Sequence, residues 1–501
     1  MKLAGLLAAA GIALVLAASA GARLIVGTPR ADVLLGTAQA DQISAGAGND
    51  RIDVAAGGRD RVSCGRGTDV VAVDSSDKVG SDCETVTRLV SSDPFSRGGG
   101  MHASEAEPDS FAWGSTVVAT FQVGRFSSGG ARTIGFSTST DAGRHWRSGL
   151  LPRLTVSSSP RGEFSRASDP SVAYDALHAV WLIASLGFSD NESALLVSSS
   201  TDGRHWSAPF VAGRKQSGSD GILFDKEWIA CDNGASSPFR GHCYLSYSDI
   251  ERLRLATQTS TDGGRTWSQP VGSPDNAGRQ GIQGAFAPAP QPVALANGIV
   301  VVPIYDGGRI AVVRSTDGGA TFSPETTIAP SRFSSSAVRA GPFPSAEVGA
   351  DGSVLMAWPD CARRPNCSGN DLLFSKSTDG LTWTPPATIS LGPGNHVIDG
   401  LAADPVRPGR VAVAYYTESG GRLTVSLSRS VDGGATWSRP LLLSPERIPF
   451  GQIAFSNGVM VGDYISTSFA GGRAVAVFAL AQSKLHGRLR QGMYAASVAV
   501  P

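Results

Sequence analysis

The sequence predicts an all-β protein: a β-propeller of repeated four-stranded units, preceded by a small parallel β-roll. Three observations predict it. A stretch of the form Ser-Thr-Asp-Gly-Gly-Arg-Thr-Trp, residues 260–267, recurs six times. A second repeat of about nine residues fills the segment before residue 90. Gly supplies 61 of 501 residues while only 17% are charged, which suits a chain of many turns.

The long repeat carries its aspartates at Asp141, Asp202, Asp262, Asp317, Asp379 and Asp432, separated by 61, 60, 55, 62 and 53 residues. Spacing of that size means one supersecondary unit repeated. Asp bonds backbone two residues on and Gly accepts positive φ, so the pair makes a tight turn. Residues of alternating polarity lead into it, as a strand does, and the following Trp or Phe is large enough to pack beneath it. The motif therefore reads as a hairpin clasp. The Asp202 and Asp379 copies are one residue shorter, so their turns must differ. Each unit offers four strands; in the second they lie near residues 171–174, 179–184, 194–198 and 206–211. Four-stranded units in radial repetition make a propeller. After the last clasp, 459–466, 473–478 and 493–498 read as three more strands, and 84–90 can supply a fourth. That gives seven blades, with six as the alternative.

The clasp resembles the Asp box, or BNR repeat, and residues 105–501 are similar to the sialidase superfamily of propellers. The resemblance implies that the boxes are structural turns on the face away from the active site. Chemistry is then expected where the first strands begin, at Glu105, Glu107, Asp169, Asp225-Lys226-Glu227, Gln291, Glu347, Asp399 and Asp463-Tyr464. Carboxylates gathered around an axis suit a glycan or a cation. In sialidases three arginines clamp the substrate carboxylate, an Asp is the acid/base and a Glu activates a Tyr nucleophile. Carried onto this chain, the resemblance makes Asp169 the acid/base, Tyr464 the nucleophile and Glu227 its partner. Arg166, Arg279 and Arg339 are the substrate-binding candidates, drawn from a set that includes Arg332 and Arg447. The Arg-Ile-Pro element of the family is absent, and no spacing singles out a triad.

In the short repeat the aspartates Asp32, Asp41, Asp50, Asp60 and Asp69 stand 9, 9, 10 and 9 residues apart. Two positions after each comes an aliphatic residue: Leu34, Ile43, Ile52, Val62 and Val71. This resembles the RTX (haemolysin-type) nonapeptide, whose units coil into a parallel β-roll. The resemblance implies Ca²⁺ as the cofactor, held by these five aspartates and turn carbonyls, with the aliphatics stacked inward. The first two units depart from it, carrying Thr28 and Thr37 where the family has glycine.

Residues 1–22 read as a secretory signal peptide: Lys2, an apolar run, then small residues at the cleavage site. Residues 23–90 are the roll, 91–104 a Gly/Ser-rich linker and 105–501 the propeller. The six cysteines fall as local pairs Cys64/Cys83, Cys231/Cys243 and Cys361/Cys367, expected as nearest-neighbour disulfides among fifteen connectivities. Lys plus Arg and Asp plus Glu both number 43, so no basic face for nucleic acid is indicated. No further run is long enough to span a membrane. The expected protein is a secreted monomer that recognises an extracellular glycan or glycoprotein. Two alternatives stand beside it: an active exo-alpha-sialidase or other glycoside hydrolase, and a protein-binding adhesion module.

Overall fold

The computed structural model describes residues 22–216, 223–284, 287–484 and 487–501. The signal-peptide expectation therefore lies almost wholly outside the described residues. The regular structure is strand, joined by turns and loops, apart from one short α-helix, Arg279–Gln283, and two 3-10 turns among the described residues.

The N-terminal segment is a solenoid of two parallel sheets. Strands β1 (Leu24–Val26), β3 (Gln42–Ser44), β5 (Arg61–Ser63) and β7 (Lys78–Val79) form one; β2 (Val33–Leu35), β4 (Arg51–Asp53), β6 (Val70–Val73) and β8 (Thr85–Leu89) form the other. Each nonapeptide is thus half a coil. Register aligns Ile25, Ile43, Val62 and Val79 on one side, and Leu34, Ile52, Val71 and Val86 on the other. These facing rows make the roll's core, so the aliphatic stack expected from the sequence is what fills it. Coils stack closely at the glycine turns. A Cβ on Gly65 (φ +92°) would meet the Gly46 carbonyl oxygen at 1.8 Å, and one on Gly67 would meet that of Gly48 at 1.7 Å.

From residue 106 onward the chain forms successive antiparallel units whose strands pair in sequence order. Their first strands are Ala106–Trp113, Arg166–Asp175, Phe224–Cys231, Val293–Ala294, Ser345–Val348, Asn395–Ala403 and Ser466–Ala470. Each touches the first strand of the next unit, and Ser466–Ala470 touches both Asn395–Ala403 and Ala106–Trp113, so the ring closes on itself. Strand β8 pairs antiparallel with Gln491–Ala499, Leu89 opposite Tyr494. The solenoid is therefore joined to the ring by a shared sheet. Val, Ile, Leu and Ala pack between neighbouring units, with the largest cluster where the two chain ends meet.

The clasps form as the residue types dictate. In the 260–267 copy the Ser260 hydroxyl donates to Asp262 Oδ1 at 2.9 Å. That oxygen also accepts the Arg265 and Thr266 amides at 3.0 Å, and Trp267 Nε1 donates to the Gly264 carbonyl. In the two shorter copies the carboxylate takes the amides two and three residues on, rather than three and four. Register places the clasps at one end of the ring. Ser139 and Trp113 both lie opposite the Val117–Thr116 end of the second strand, while Ala106 pairs at the far end with Gln122. Three disulfides join Cys64–Cys83, Cys231–Cys243 and Cys361–Cys367. Among the described residues no helix is long and apolar enough to cross a membrane.

Candidate functional site

At the end of the ring opposite the clasps, the first strands begin with a repeated irregularity. A bulge falls at Glu107, Asp169, Lys226 and Ile398, each with φ between 46° and 54°. Left-handed backbone at non-glycine residues costs on the order of 1–3 kcal/mol each and persists only where the surroundings enforce it. Three of the four bulged residues are charged, and the bulge turns them toward one another.

The result is a buried charge cluster drawn from four units. Glu107 accepts the Gln122 amide and pairs with Arg125 at 3.4 Å. Arg125, itself 3% exposed, also reaches Ser456 Oγ at 3.1 Å. Asp169 accepts the Ser168 hydroxyl at 2.8 Å and the Lys226 backbone amide at 3.1 Å. Asp463 is shared by the Lys226 ammonium and by Arg339, the latter at 2.5 Å. Glu227 is 1% exposed, and neither of its oxygens has a hydrogen-bond partner.

The carboxyls divide into two kinds. Burial raises them all, and Asp169's charge adds to this at Glu107, pushed up to about 8, and at Glu227, pushed well above the carboxylate range. Burial and Asp169 likewise lift Asp225 to about 7, against the pull of Lys226. Burial is the largest single influence on Asp169 too, but the Lys226 ammonium, hydrogen bonds from Glu107 and Ser168 and the Arg125 charge together outweigh it. Asp169 is therefore held well below its ordinary value. Asp463 is held down likewise, by Lys226 and Arg339. Burial thus favours the protonated form of Glu107 and Glu227, while the neighbouring cations favour the ionised form of Asp169 and Asp463.

Of the residues singled out from sequence, Asp169, Glu227, Tyr464 and Arg339 converge here. Tyr464 lies just ahead of its strand and packs edge-on against Trp228, centroids 4.9 Å apart. Its hydroxyl donates to the Pro170 carbonyl at 3.4 Å. Burial and the nearby Glu107 and Asp169 charges hold that phenol far above its ordinary range. Arg166 and Arg279 are not in the cluster: Arg166 bonds Ser128 and Gly129 and lies over Phe126, and Arg279 is exposed on the short helix. Glu105 is buried but ties the 91–104 segment, accepting from Ser91 and the Met493 amide. Arg125 and Gln122 were not singled out, because nothing in a second strand's sequence shows that its far end reaches the axis.

In the solenoid the five aspartates form two rows. The amides of Asp32 and Asp50 donate to the carboxylates of Asp50 and Asp69, and that of Asp69 to Glu84. On the other side, the amides of Asp41 and Asp60 donate to Asp60 and Asp77. Thr28 and Thr37, where glycine is expected, give amide and hydroxyl to the second oxygens of Asp32 and Asp41. In Asp50, Asp60 and Asp69 that second oxygen is buried and unpartnered. An unpaired buried carboxylate oxygen is costly and fits a cation. Among the described residues no three His, Cys, Asp or Glu side chains converge as a metal cluster, so a cation held here would also need turn carbonyls.

Comparison with known proteins matches this two-part architecture. Residues 26–58 match the RTX calcium-binding nonapeptide repeat, and residues 242–467 the BNR repeat-like domain. RTX repeats lead here into a BNR repeat-like domain. No curated protein matches the chain. Solved structures similar to it include the Hadza microbial sialidase Hz136 (16% identity, TM-score 0.42, covering 80% of this chain and 66% of that one). Others are the NanB sialidase from Streptococcus pneumoniae (13%, 0.43, 82% and 70%) and a PL25 ulvan lyase bound to its saccharide (12%, 0.46, 79% and 94%). The chain thus spans just under two thirds of the Hz136 structure. The clasps and the charge cluster occupy opposite ends of the ring.

Proposed function

We propose that the charged mouth of the BNR domain is a recognition site for an extracellular glycan. The ring is read as seven blades rather than six, with Ser466–Ala470, Arg473–Ala481, Gln491–Ala499 and β8 as the unclasped seventh. The observation that carries the proposal is the buried Glu227 with both oxygens unpartnered, set beside ionised Asp169 on strained backbone. Such groups are costly unless a ligand uses them, and sugar hydroxyls both donate to and accept from carboxyls. Recognition is favoured over sialic-acid hydrolysis because Arg125 and Arg339 are already paired with Glu107 and Asp463. The Tyr464 hydroxyl is likewise committed to a carbonyl.

One observation favours hydrolysis as a second reading. Two carboxyls with pKa values pushed apart, protonated Glu227 and ionised Asp169, are what general acid/base chemistry on a glycosidic bond requires. This reassigns the acid from Asp169 to Glu227. Fluorophore release from a panel of aryl glycosides, sialosides included, separates the readings. Turnover abolished by Glu227→Gln establishes hydrolysis. No turnover with saturable glycan binding, lost in Asp169→Asn, establishes recognition; neither turnover nor binding sinks both.

The same proposal places residues 23–90 as a calcium-stabilised roll and 105–501 as the glycan-binding domain of an exported protein. The unpartnered oxygens of Asp50, Asp60 and Asp69 and the three disulfides support it. Asp32 and Asp41, already satisfied by threonines, contribute less.

A further inference from the structure

Beneath the charge cluster, on the far side of Trp228, a cavity of about 660 Å³ follows the axis and opens at the clasp end. That volume suits a small organic ligand. Its wall is largely apolar, with Phe111, Trp113, Ile229, Val293, Val348 and Phe469 among the lining residues. Set into that wall are three polar groups that the glycan proposal does not use. Asp109, 4% exposed, accepts the Val172 amide at 2.7 Å. Glu347 lines the cavity nearby, and burial together with Asp109's charge pushes it up to about 8; burial alone leads in lifting Asp109 to about 7. Gln291, 9% exposed, also lines the cavity and accepts the Ala346 amide through Oε1. Among the described residues no Lys, Arg or His lines the space.

We propose that this cavity binds an organic cation: an ammonium group carried on an apolar body, its charge set between Asp109 and Glu347. The lining excludes the other classes. An anion meets two carboxyls and no base. A hard metal ion needs six to eight oxygens, and most of this wall is hydrocarbon. A purely apolar ligand leaves the two carboxyls facing hydrocarbon. A cation neutralises the pair, and the Trp113 and Trp228 indoles line the same space. The titratable groups facing Asp109 and Glu347 are each other and the Tyr464 phenol. A bound cation therefore draws protons off both acids, and affinity strengthens as pH rises through about 7 to 8.

The test is titration of the full chain with 2-phenylethylamine, with 2-phenylethanol and 3-phenylpropionate as neutral and anionic matches. Tryptophan fluorescence and heat, the latter in buffers of different ionisation enthalpy, report binding and proton release. The expected result is saturable binding of the amine with proton release, roughly ten-fold or more tighter than the alcohol, and none of the carboxylate. Glu347→Gln lowers amine affinity by roughly ten-fold and leaves the alcohol unchanged; Ala294→Phe, which fills the cavity, weakens both. Equal binding of amine and alcohol, no binding of the amine at millimolar concentration, or a folded Glu347→Gln that binds it as tightly overturns the proposal. Because these residues lie outside the charged mouth, glycan binding is unaffected by the outcome.

Discussion

Asp60→Asn tests the calcium reading with a change of sign. Asp60 is buried between Asp41 and Asp77; its Oδ1 accepts the Asp41 amide at 2.6 Å and its Oδ2 has no partner. Burial leads in raising its carboxyl from 3.8 to about 6. Two units correspond to about 3 kcal/mol. The roll is thin and screened by water, which cuts the effect to about 1–2 kcal/mol. A carboxyl raised in the folded state contributes stability that is present below its unfolded pKa and lost as pH rises through about 6. Metal-free, the wild-type roll therefore melts lower at pH 7 than at pH 5. Asparagine keeps the Oδ1 acceptor and has no charge to bury, so the variant in chelator at pH 7 melts higher, on the order of 5–10 °C for a segment this small. In millimolar Ca²⁺ the order reverses, because the wild-type carboxylate gains a cation that the amide cannot hold as well. Calorimetry in chelator and in Ca²⁺ at both pH values reads all four points. A variant that melts below wild type in chelator, or a wild-type midpoint that Ca²⁺ leaves unmoved, refutes the reasoning.

Three further outcomes follow from the same structure. Lys226→Met removes one of the two cations on Asp463 and the charge that holds Asp169 ionised, and should cost about 3 kcal/mol of stability in denaturant titration, whereas a surface pair such as Arg214–Glu163 should give under about 1 kcal/mol. Removing the Cys64–Cys83 bridge, with its sequence separation of 19, should lower the roll's stability by about 3 kcal/mol in non-reducing urea melts and leave glycan binding intact. Asp262→Ala removes an acceptor of two backbone amides; it should cost about 1–2 kcal/mol without changing ligand affinity, and a loss of binding would place function at the clasps instead.

The charged mouth was half legible in the sequence. Asp169, Glu227, Tyr464 and Arg339 could be named because they start first strands or lie in the connections at that end. Arg125 and Gln122 could not, since they end a second strand and reach the axis only through pairing with Ala106–Trp113. Arg166 and Arg279 have the same kind of sequence position as Arg339, yet their side chains end elsewhere. In the roll, the inward aliphatics Leu34, Ile43, Ile52, Val62 and Val71 were legible from a nine-residue period, whereas Ile25, Val79 and Val86, which extend the same rows, were not. Which aspartates lack a partner was not: that depends on the neighbouring coil and on Thr28 and Thr37 occupying glycine positions.

What the sequence determined alone was everything local and periodic: strands and clasps, the parallel solenoid, and three disulfides between neighbouring cysteines. These follow from φ preference, side-chain alternation and short loop closure, which act over a few residues. The tertiary structure alone decided which charges meet. Glu107, Asp169, Lys226 and Asp463 are brought together by ring closure across 356 positions, and their protonation follows from shared burial and mutual fields. The axial cavity belongs to the same class, since it is bounded by residues from every unit and encoded in none of them singly.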